Sequence, residues 1–546
     1  MKITENWVDQ ATDFQQVNIK TPTFSLETMK NQTLTSPQWV HFGGGNLYRC
    51  FHAKVAQDLL NQGAMESGVV VAEIFNKPLI ELYHKNENRT LSVILKPDGT
   101  IEKELLASTG MALLPNKENP ANLEKIKSIF KNPSLQMVTA TITEKGYLVS
   151  GFDGEPLPQA QSDMESSPIF ENMETTMGKI ATLLYERYQS GQLPIAMIST
   201  DNFSHNGKRF QDSVLTIAEG WQRNGFVDES FLAYLTDETQ VSFPYSMIDR
   251  ITPLPSLDIA KNLQQEGIED MIFPEGSTFA PFVNTEETHY LVIEDVFPNG
   301  QPSLEKAGVF LTDRETVNKA DLMKVCSCLN PLHTALAIFG CLLGFERIWA
   351  EMEDADLRAL VEQIGYVESL PVASDPKIIH PKTFLDEVLQ KRFVNPFIPD
   401  SPQRIATDTS QKLGIRYGET IKAYLQSPSL DIQVLEFIPL TIAAWCRYLL
   451  GVDDNGNPME ISADPLLNDL RPYLSDITLG CKTDVHAGLY PILSNTQIFG
   501  TNLYDTPLGN KAEAFFCDFI ASSGAVRATL HREIEKHGSR LEKALQ

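Results

Sequence analysis

The strongest constraint on the fold is a rhythm in the first half of the chain. PQWVHFGGG, SGVVVAEIF, QMVTATIT and PIAMIST recur there as short apolar or β-branched runs between helical patterns. Runs of this kind suit strands buried on both faces of a parallel sheet, whereas half-exposed strands alternate. Three of the four end in a small cluster of functional polar residues, and the fourth leads to Asn76. Ligands of open α/β sheets sit at the carboxyl ends of the strands, so these endings are where binding residues are expected. From about residue 318 the pattern changes to 3.6-periodic stretches such as ADLMKVCSCLNPLHTALAIFGCLLG and PKTFLDEVLQKRF. The chain is therefore expected to fold as an α/β domain followed by a mainly α-helical one, with the boundary between residues 305 and 318.

Charge narrows the partners. With 71 acidic and 45 basic residues the formal net charge is -26, a field that repels nucleic-acid phosphates and anionic membranes. An anionic ligand would need lysines and arginines gathered locally against that field. LEFIPLTIAAW, the most apolar window, is interrupted by Pro439 and reads as core, so no membrane span is expected. MKITENWVDQ lacks the basic and apolar regions of a secretory signal, and seven scattered cysteines do not form a disulfide framework. A cytoplasmic protein, a monomer or small homo-oligomer, is the expectation. The acidic segment between residues 155 and 175 reads as a surface excursion.

HFGGGNLYR joins the first strand to a helical pattern. Gly43 and Gly45 supply the tight turn and close backbone approach that a pyrophosphate needs at a helix N-terminus, although Tyr48 stands where a third glycine is usual. Glu73 closes the second strand and is placed to hold a ribose 2′-hydroxyl, which favours NAD; Lys77 nearby keeps NADP open. TITEKGY and STDNFSHNG follow the third and fourth runs with hydrogen-bonding side chains suited to a nicotinamide or a sugar hydroxyl, and equally to ordinary turns. In FPYSMIDRITP, Asp249 and Arg250 form either a structural ion pair or a substrate-positioning pair.

KVCSCLNPLH, residues 324 to 333, is the densest polar group in the helical half. Cys326, Cys328 and His333 lack the further ligand pair of a zinc site, and cysteines two apart do not share a helical face, so both read as small core residues. Asn330 and His333 do share a face and can present an amide and an imidazole to one substrate. Lys324 lies about a turn and a half upstream. It reads as a solvated lysine or, if desolvated in a cleft, as a group able to take a proton from an alcohol.

Taken together, HFGGGNLYR, TITEKGY, STDNFSHNG, FPYSMIDRITP, IEDVFPNG, LNPLHTALA and RFVNPFIPDSPQRIATDTSQKL resemble, in order, the motifs of the polyol-specific long-chain dehydrogenase/reductase (mannitol dehydrogenase) family. The resemblance implies a Rossmann-like dinucleotide-binding domain over residues 1–312 and a helical substrate and catalytic domain over 313–546. It implies NAD as cofactor, NADP remaining open, and metal-independent hydride transfer with a lysine acid/base. Carried over by position, Lys324 is the base, Asn202 and Asn330 donate to the developing alkoxide, and His333 holds a substrate hydroxyl. Asp249, Arg404 and Lys412 line the substrate site, the two cations suiting a sugar acid. Phe42, Gly43, Gly45, Asn46, Leu47, Glu73, Glu144 and Asp201 are the candidate dinucleotide contacts. The branch resembled most is the one that interconverts D-fructuronate and D-mannonate. A mannitol, tagaturonate or other polyol reaction, and a non-catalytic dinucleotide-binding protein, are the alternatives.

One departure from the family bears on Lys324. The family places its lysine five residues before the asparagine, whereas Lys324 stands six before Asn330. On a regular helix the extra residue turns the side chain by about 100°. Pro331 cannot donate to the carbonyl four residues back, and one-residue π-bulges are frequent in functional helices. A bulge or kink between Lys324 and Pro331 is therefore predicted, returning the lysine to the site; failing it, Lys412 is the next candidate base.

Overall fold

The computed structural model describes every residue except 152–153 and 482–483. The chain divides into two compact units, Met1–Asn318 and Lys319–Gln546. At the centre of the first is a six-stranded sheet of β1 (Trp39–Phe42), β2 (Val69–Ala72), β3 (Thr109–Leu113), β4 (Met137–Ala140), β5 (Ile195–Ser199) and β6 (Val241–Ser242). The spatial order is β3-β2-β1-β4-β5-β6 with all neighbours parallel. This is the doubly wound dinucleotide-binding order, and its direction of winding reverses between β1 and β4.

The four apolar runs are β1, β2, β4 and β5, and the reason for their lack of alternation is visible in the packing. Val40, Phe42, Val70, Ala72, Val138 and Ala140 enter one core. Trp39, Val69, Val71, Met137, Ala196 and Ile198 enter the other. Each large aliphatic side chain so buried contributes about 1.5–3 kcal/mol relative to exposure. The sheet is thus covered on both faces, which leaves its strand ends for approach.

Strands too short or too polar to read from the sequence complete the unit. Ser246–Asp249, from FPYSMIDRITP, pairs antiparallel with Tyr290–Glu294, which runs into IEDVFPNG, so two distant motifs are neighbours in one three-stranded sheet. Ile19–Lys20, Ile101–Leu106, Thr90–Leu95 and Phe282–Thr285 form a separate four-stranded sheet.

The acidic segment is not the surface excursion expected. Met164, Phe170 and Met173 pack into a sheet core, and buried Asp163 accepts from the backbone N–H groups of Glu174 and Thr175 and from the Thr175 hydroxyl. Trp221 donates to the Asp163 carbonyl, clamping the segment to the helix Asn206–Arg223. Its acidity misled the reading because the carboxylate faces inward onto amide donors.

The second unit contains helices and no strand among its described residues. Arg314–Leu343 is a 30-residue helical stretch apolar enough by composition to cross a membrane, but 83% of its most apolar window is buried within the protein. Phe437–Tyr448 is likewise a core helix, every residue of which is buried. Pro439 is its third residue, where no intrahelical donor is needed. The buried Glu368 carboxylate accepts from the N–H groups of Glu436, Phe437 and Ile438 and so caps that helix.

Candidate active site

The reversal between β1 and β4 opens a cavity of 620 Å³ in the first unit, lined among others by Gly43, Gly45, Glu73, Phe75, Thr141 and Thr143. A cavity of 700 Å³ elsewhere in the unit, against Trp7, Phe24 and Arg89, receives none of these strand-end residues.

The glycine turn after β1 is held rigid from both sides. The Gly43 carbonyl accepts from the Thr141 hydroxyl at 2.8 Å, and Tyr83 donates to the Gly44 carbonyl at 2.7 Å. The Gly44 N–H donates to Glu73 Oε1 at 2.6 Å. Below it, His41 bridges Thr139, Thr141 and the Gly43 carbonyl. Each glycine has a different reason to be one. Gly43 has φ +91°, and a Cβ there would lie 2.1 Å from the Thr141 carbonyl oxygen. A Cβ on Gly44 would strike Val71 at 2.6 Å. A Cβ on Gly45 meets only Phe279, at 3.9 Å. Among the described residues nothing requires glycine at 45, which leaves open the space that a close backbone approach such as a pyrophosphate's would use.

The other first-unit candidates divide into those facing the cavity and those that build it. Glu73 is mostly buried, and burial pushes its carboxyl up to about 7, opposed by the Gly44 hydrogen bond. Asp201 accepts from the N–H groups of Ile142 and Thr143 and from the Tyr147 hydroxyl. Its role is to fix the loop after β4, where Thr143 takes φ +62°. Phe42 is fully buried and its ring belongs to the core. Leu47 packs against the opposite core. Asn46 donates to the Thr278 carbonyl and accepts from Arg49. Glu144 is exposed and pairs with Arg209, between Thr143 and Lys145 of the cavity lining. Asn202 is exposed just after β5, and Asp249 is buried at the end of its strand. Arg250 donates to Thr285 and to the carbonyls of Cys50 and Glu286, a structural use. Sequence reasoning missed His41, Tyr83 and Thr141; a histidine inside the apolar run WVHF was the one local clue.

In the second unit the helix carrying KVCSCLNPLH is not regular. Met323–Cys328 forms a π-helical turn, closed by the Leu329 N–H donating to the Lys324 carbonyl at 3.2 Å. The predicted bulge is present, and Lys324 itself provides the acceptor that closes it. A π insertion absorbs one residue without advancing the helical phase by a further α step, so a spacing of six across it approximates five in a regular helix. Lys324 is 3% exposed, with Nζ 3.9 Å from Asp321.

Neighbouring side chains supply what the bulge and Pro331 leave unmade. In the widened register the donor for the Cys326 carbonyl would be residue 331, a proline; the Thr420 hydroxyl donates to it instead. Tyr417 donates to the Pro331 carbonyl at 2.7 Å. Cys326 and Cys328 are buried, and burial pushes both thiols up to about 12, as suits core residues. Among the described residues no three His, Cys, Asp or Glu side chains are grouped to hold a metal ion.

His333 follows one turn after the bulge. Its Nε2 is buried, makes no hydrogen bond and lies 3.5 Å from Asp400, while its ring packs on Phe393. Burial lowers the imidazole to about 4 against the pull of Asp400, and Arg416, Arg404 and Arg392 lower it further. The ring is neutral at pH 7 and so can both donate and accept. Arg404 is 63% exposed and paired with Asp400. Lys412 is half-buried, donating to the Thr407 carbonyl.

The two units correspond to two family models: the mannitol dehydrogenase Rossmann domain matches residues 37–306, and the mannitol dehydrogenase C-terminal domain matches residues 317–512. The D-mannonate oxidoreductase of Thermotoga maritima is 48% identical over 98% of this chain and 99% of its own length. The D-mannonate oxidoreductase of Escherichia coli is 27% identical over 81% of this chain and 87% of its own. Among solved structures, Pseudomonas fluorescens mannitol 2-dehydrogenase, in a ternary complex with NAD and D-mannitol, superposes with a TM-score of 0.71 at 25% identity, covering 98% of this chain and 100% of that one. With a reversing parallel sheet, a glycine turn at its switch point and a lysine-bearing π turn in a helical second unit, the chain belongs to the mannitol dehydrogenase family.

Proposed function

We propose that this protein is an NAD-dependent oxidoreductase that interconverts D-fructuronate and D-mannonate without a metal ion. The observation that carries the reading is full-length likeness, at 48% identity, to a D-mannonate oxidoreductase, beside 28% or less to the polyol-named relatives. Bound nicotinamide supplies the hydride to the keto carbon, or accepts it from the carbinol in reverse. Gly43 and Gly45 admit the pyrophosphate, and Glu73 holds the adenosine ribose. As the keto oxygen gains negative charge, the Lys324 ammonium delivers a proton to it; in the oxidative direction neutral Lys324 takes the proton from the hydroxyl. Asn330 and Asn202 are the candidate amide donors to that oxygen, where developing charge makes a preset donor most effective. His333, neutral, holds an adjacent hydroxyl, and Asp249 binds a further one.

The reaction is tested by NADH oxidation in the presence of a strong chelator, comparing D-fructuronate, D-tagaturonate and D-fructose. The expected result is preference for D-fructuronate with undiminished rate. A preference for D-fructose would assign the enzyme to polyol oxidation, chelator sensitivity would bring in a metal, and NADH binding without turnover would mark a binding protein.

Cofactor choice carries its own pH signature. Because Glu73 titrates near 7, it is charged above that pH and neutral below it, and only the charged form repels the 2′-phosphate of NADPH. Affinity for NADPH relative to NADH should rise roughly tenfold as pH falls from about 8.5 to about 5.5. Fluorescence titration of the two cofactors measures it, and a ratio independent of pH, or equally pH-dependent in Glu73→Gln, would remove Glu73 from the ribose site.

A further inference from the structure

Arg416 was not among the substrate candidates, yet its surroundings differ from those of every cation that was. It is half-buried on the π-helical turn Gly414–Gly418. One guanidinium nitrogen, Nη1, donates to the Thr334 hydroxyl at 2.5 Å, and that hydroxyl donates to the Asn330 carbonyl at 2.9 Å. Arg416 is thereby tied to the turn that carries Asn330 and His333, close enough to lower the His333 imidazole. Its other neighbours are Lys412, a second cation, and the neutral Tyr417. Among the described residues no carboxylate lies within ion-pair distance of Arg416, although the chain has 26 more acidic than basic residues.

A charge partly withdrawn from water without a counter-ion is costly to the fold. Of the carboxylates nearby, Asp400 is committed to Arg404 and faces His333, while Asp408 and Asp464 face Lys412. The arginine expected from the sequence to bind an acid is therefore already neutralised, and the one left uncompensated presents unused donors in a planar fork. That fork matches a carboxylate held by two parallel hydrogen bonds. We propose that Arg416 is the specificity-determining residue that receives the carboxylate of a sugar-acid substrate, with the Lys412 ammonium adding to the positive potential beside it. The assignment rests on the proposed reaction and names the group that separates a sugar acid from a neutral polyol.

The test is steady-state kinetics of the full-length enzyme with NADH on D-fructuronate and D-fructose, for wild type, Arg416→Met and Arg416→Lys. Removing a charge-assisted hydrogen bond lowers kcat/KM for D-fructuronate by roughly 10- to 100-fold. The loss falls mainly on KM and is at least about tenfold smaller on D-fructose, which has no carboxylate. Arg416→Lys keeps the charge but not the fork and recovers part of the preference. NADH affinity and thermal midpoint show that each variant is folded; if Arg416→Met is not, Arg416→Lys alone decides, by a lowered or an unchanged acid preference. Equal losses on both substrates, or a wild-type preference that survives in the folded variants, would overturn the role of Arg416 and leave the reaction standing. A wild-type enzyme with no preference for the acid would overturn both.

Discussion

Replacing Lys324 by methionine is expected to lower kcat in both directions by on the order of 10²–10⁴-fold, the range supplied by a positioned general acid or base. Methionine keeps the length and apolar stem of a residue that is 3% exposed, so the expected change is in chemistry more than in folding. NADH affinity, set in the first unit, should remain within a few-fold of wild type by fluorescence titration. The wide turn makes the prediction specific to this lysine. Its carbonyl closes the π bond to Leu329, so the main chain of the same residue sets the register that orients Asn330 and His333. Single-turnover rates with NADH and D-fructuronate provide the measurement. A rate within tenfold of wild type would move the acid/base elsewhere, Lys412 first.

The second large effect separates two glycines two residues apart. Gly45→Ala should fold with an unchanged thermal midpoint, because its new methyl group meets nothing nearer than Phe279 at 3.9 Å. It should weaken NADH on the order of 10²-fold, since the methyl group displaces the approaching pyrophosphate by about an ångström. Gly43→Ala should do the reverse in kind. Its φ of +91° and the 2.1 Å approach to the Thr141 carbonyl force the turn and the loop after β4 apart, destabilising the unit by about 1–3 kcal/mol or more. Thermal scans paired with NADH titrations distinguish the two. Gly45→Ala binding NADH as wild type does would place the dinucleotide away from this turn.

Legibility followed the range of the interaction. The four buried strands were readable because a strand covered on both faces must be apolar at every position, a property local to four or five residues. The other two strands of the large sheet, β3 and β6, and the smaller sheets were not, because Thr109–Leu113 and Val241–Ser242 owe their strand state to neighbours far along the chain. The Asp163 segment was misread for the same reason: whether a carboxylate faces water or a set of amides is decided by what folds over it. Asp201 was recognised as important, but its partners Ile142, Thr143 and Tyr147 lie more than 50 residues away. They make it the strut of the loop after β4.

The sequence by itself determined the parallel α/β architecture of the first unit, the helical nature of the second, the glycine turn and the irregularity before Pro331. Each depends on periodicity, backbone freedom or a missing donor, all properties of residues adjacent in the chain. Only the tertiary structure decided which glycine no described neighbour requires, which aspartate is a strut and which arginine is left without a carboxylate partner among the described residues. Arg404 and Arg416 are alike as letters; Asp400 pairs with the first, and the second is held by a threonine hydroxyl. That difference is one of burial and charge compensation, which arise when distant segments meet.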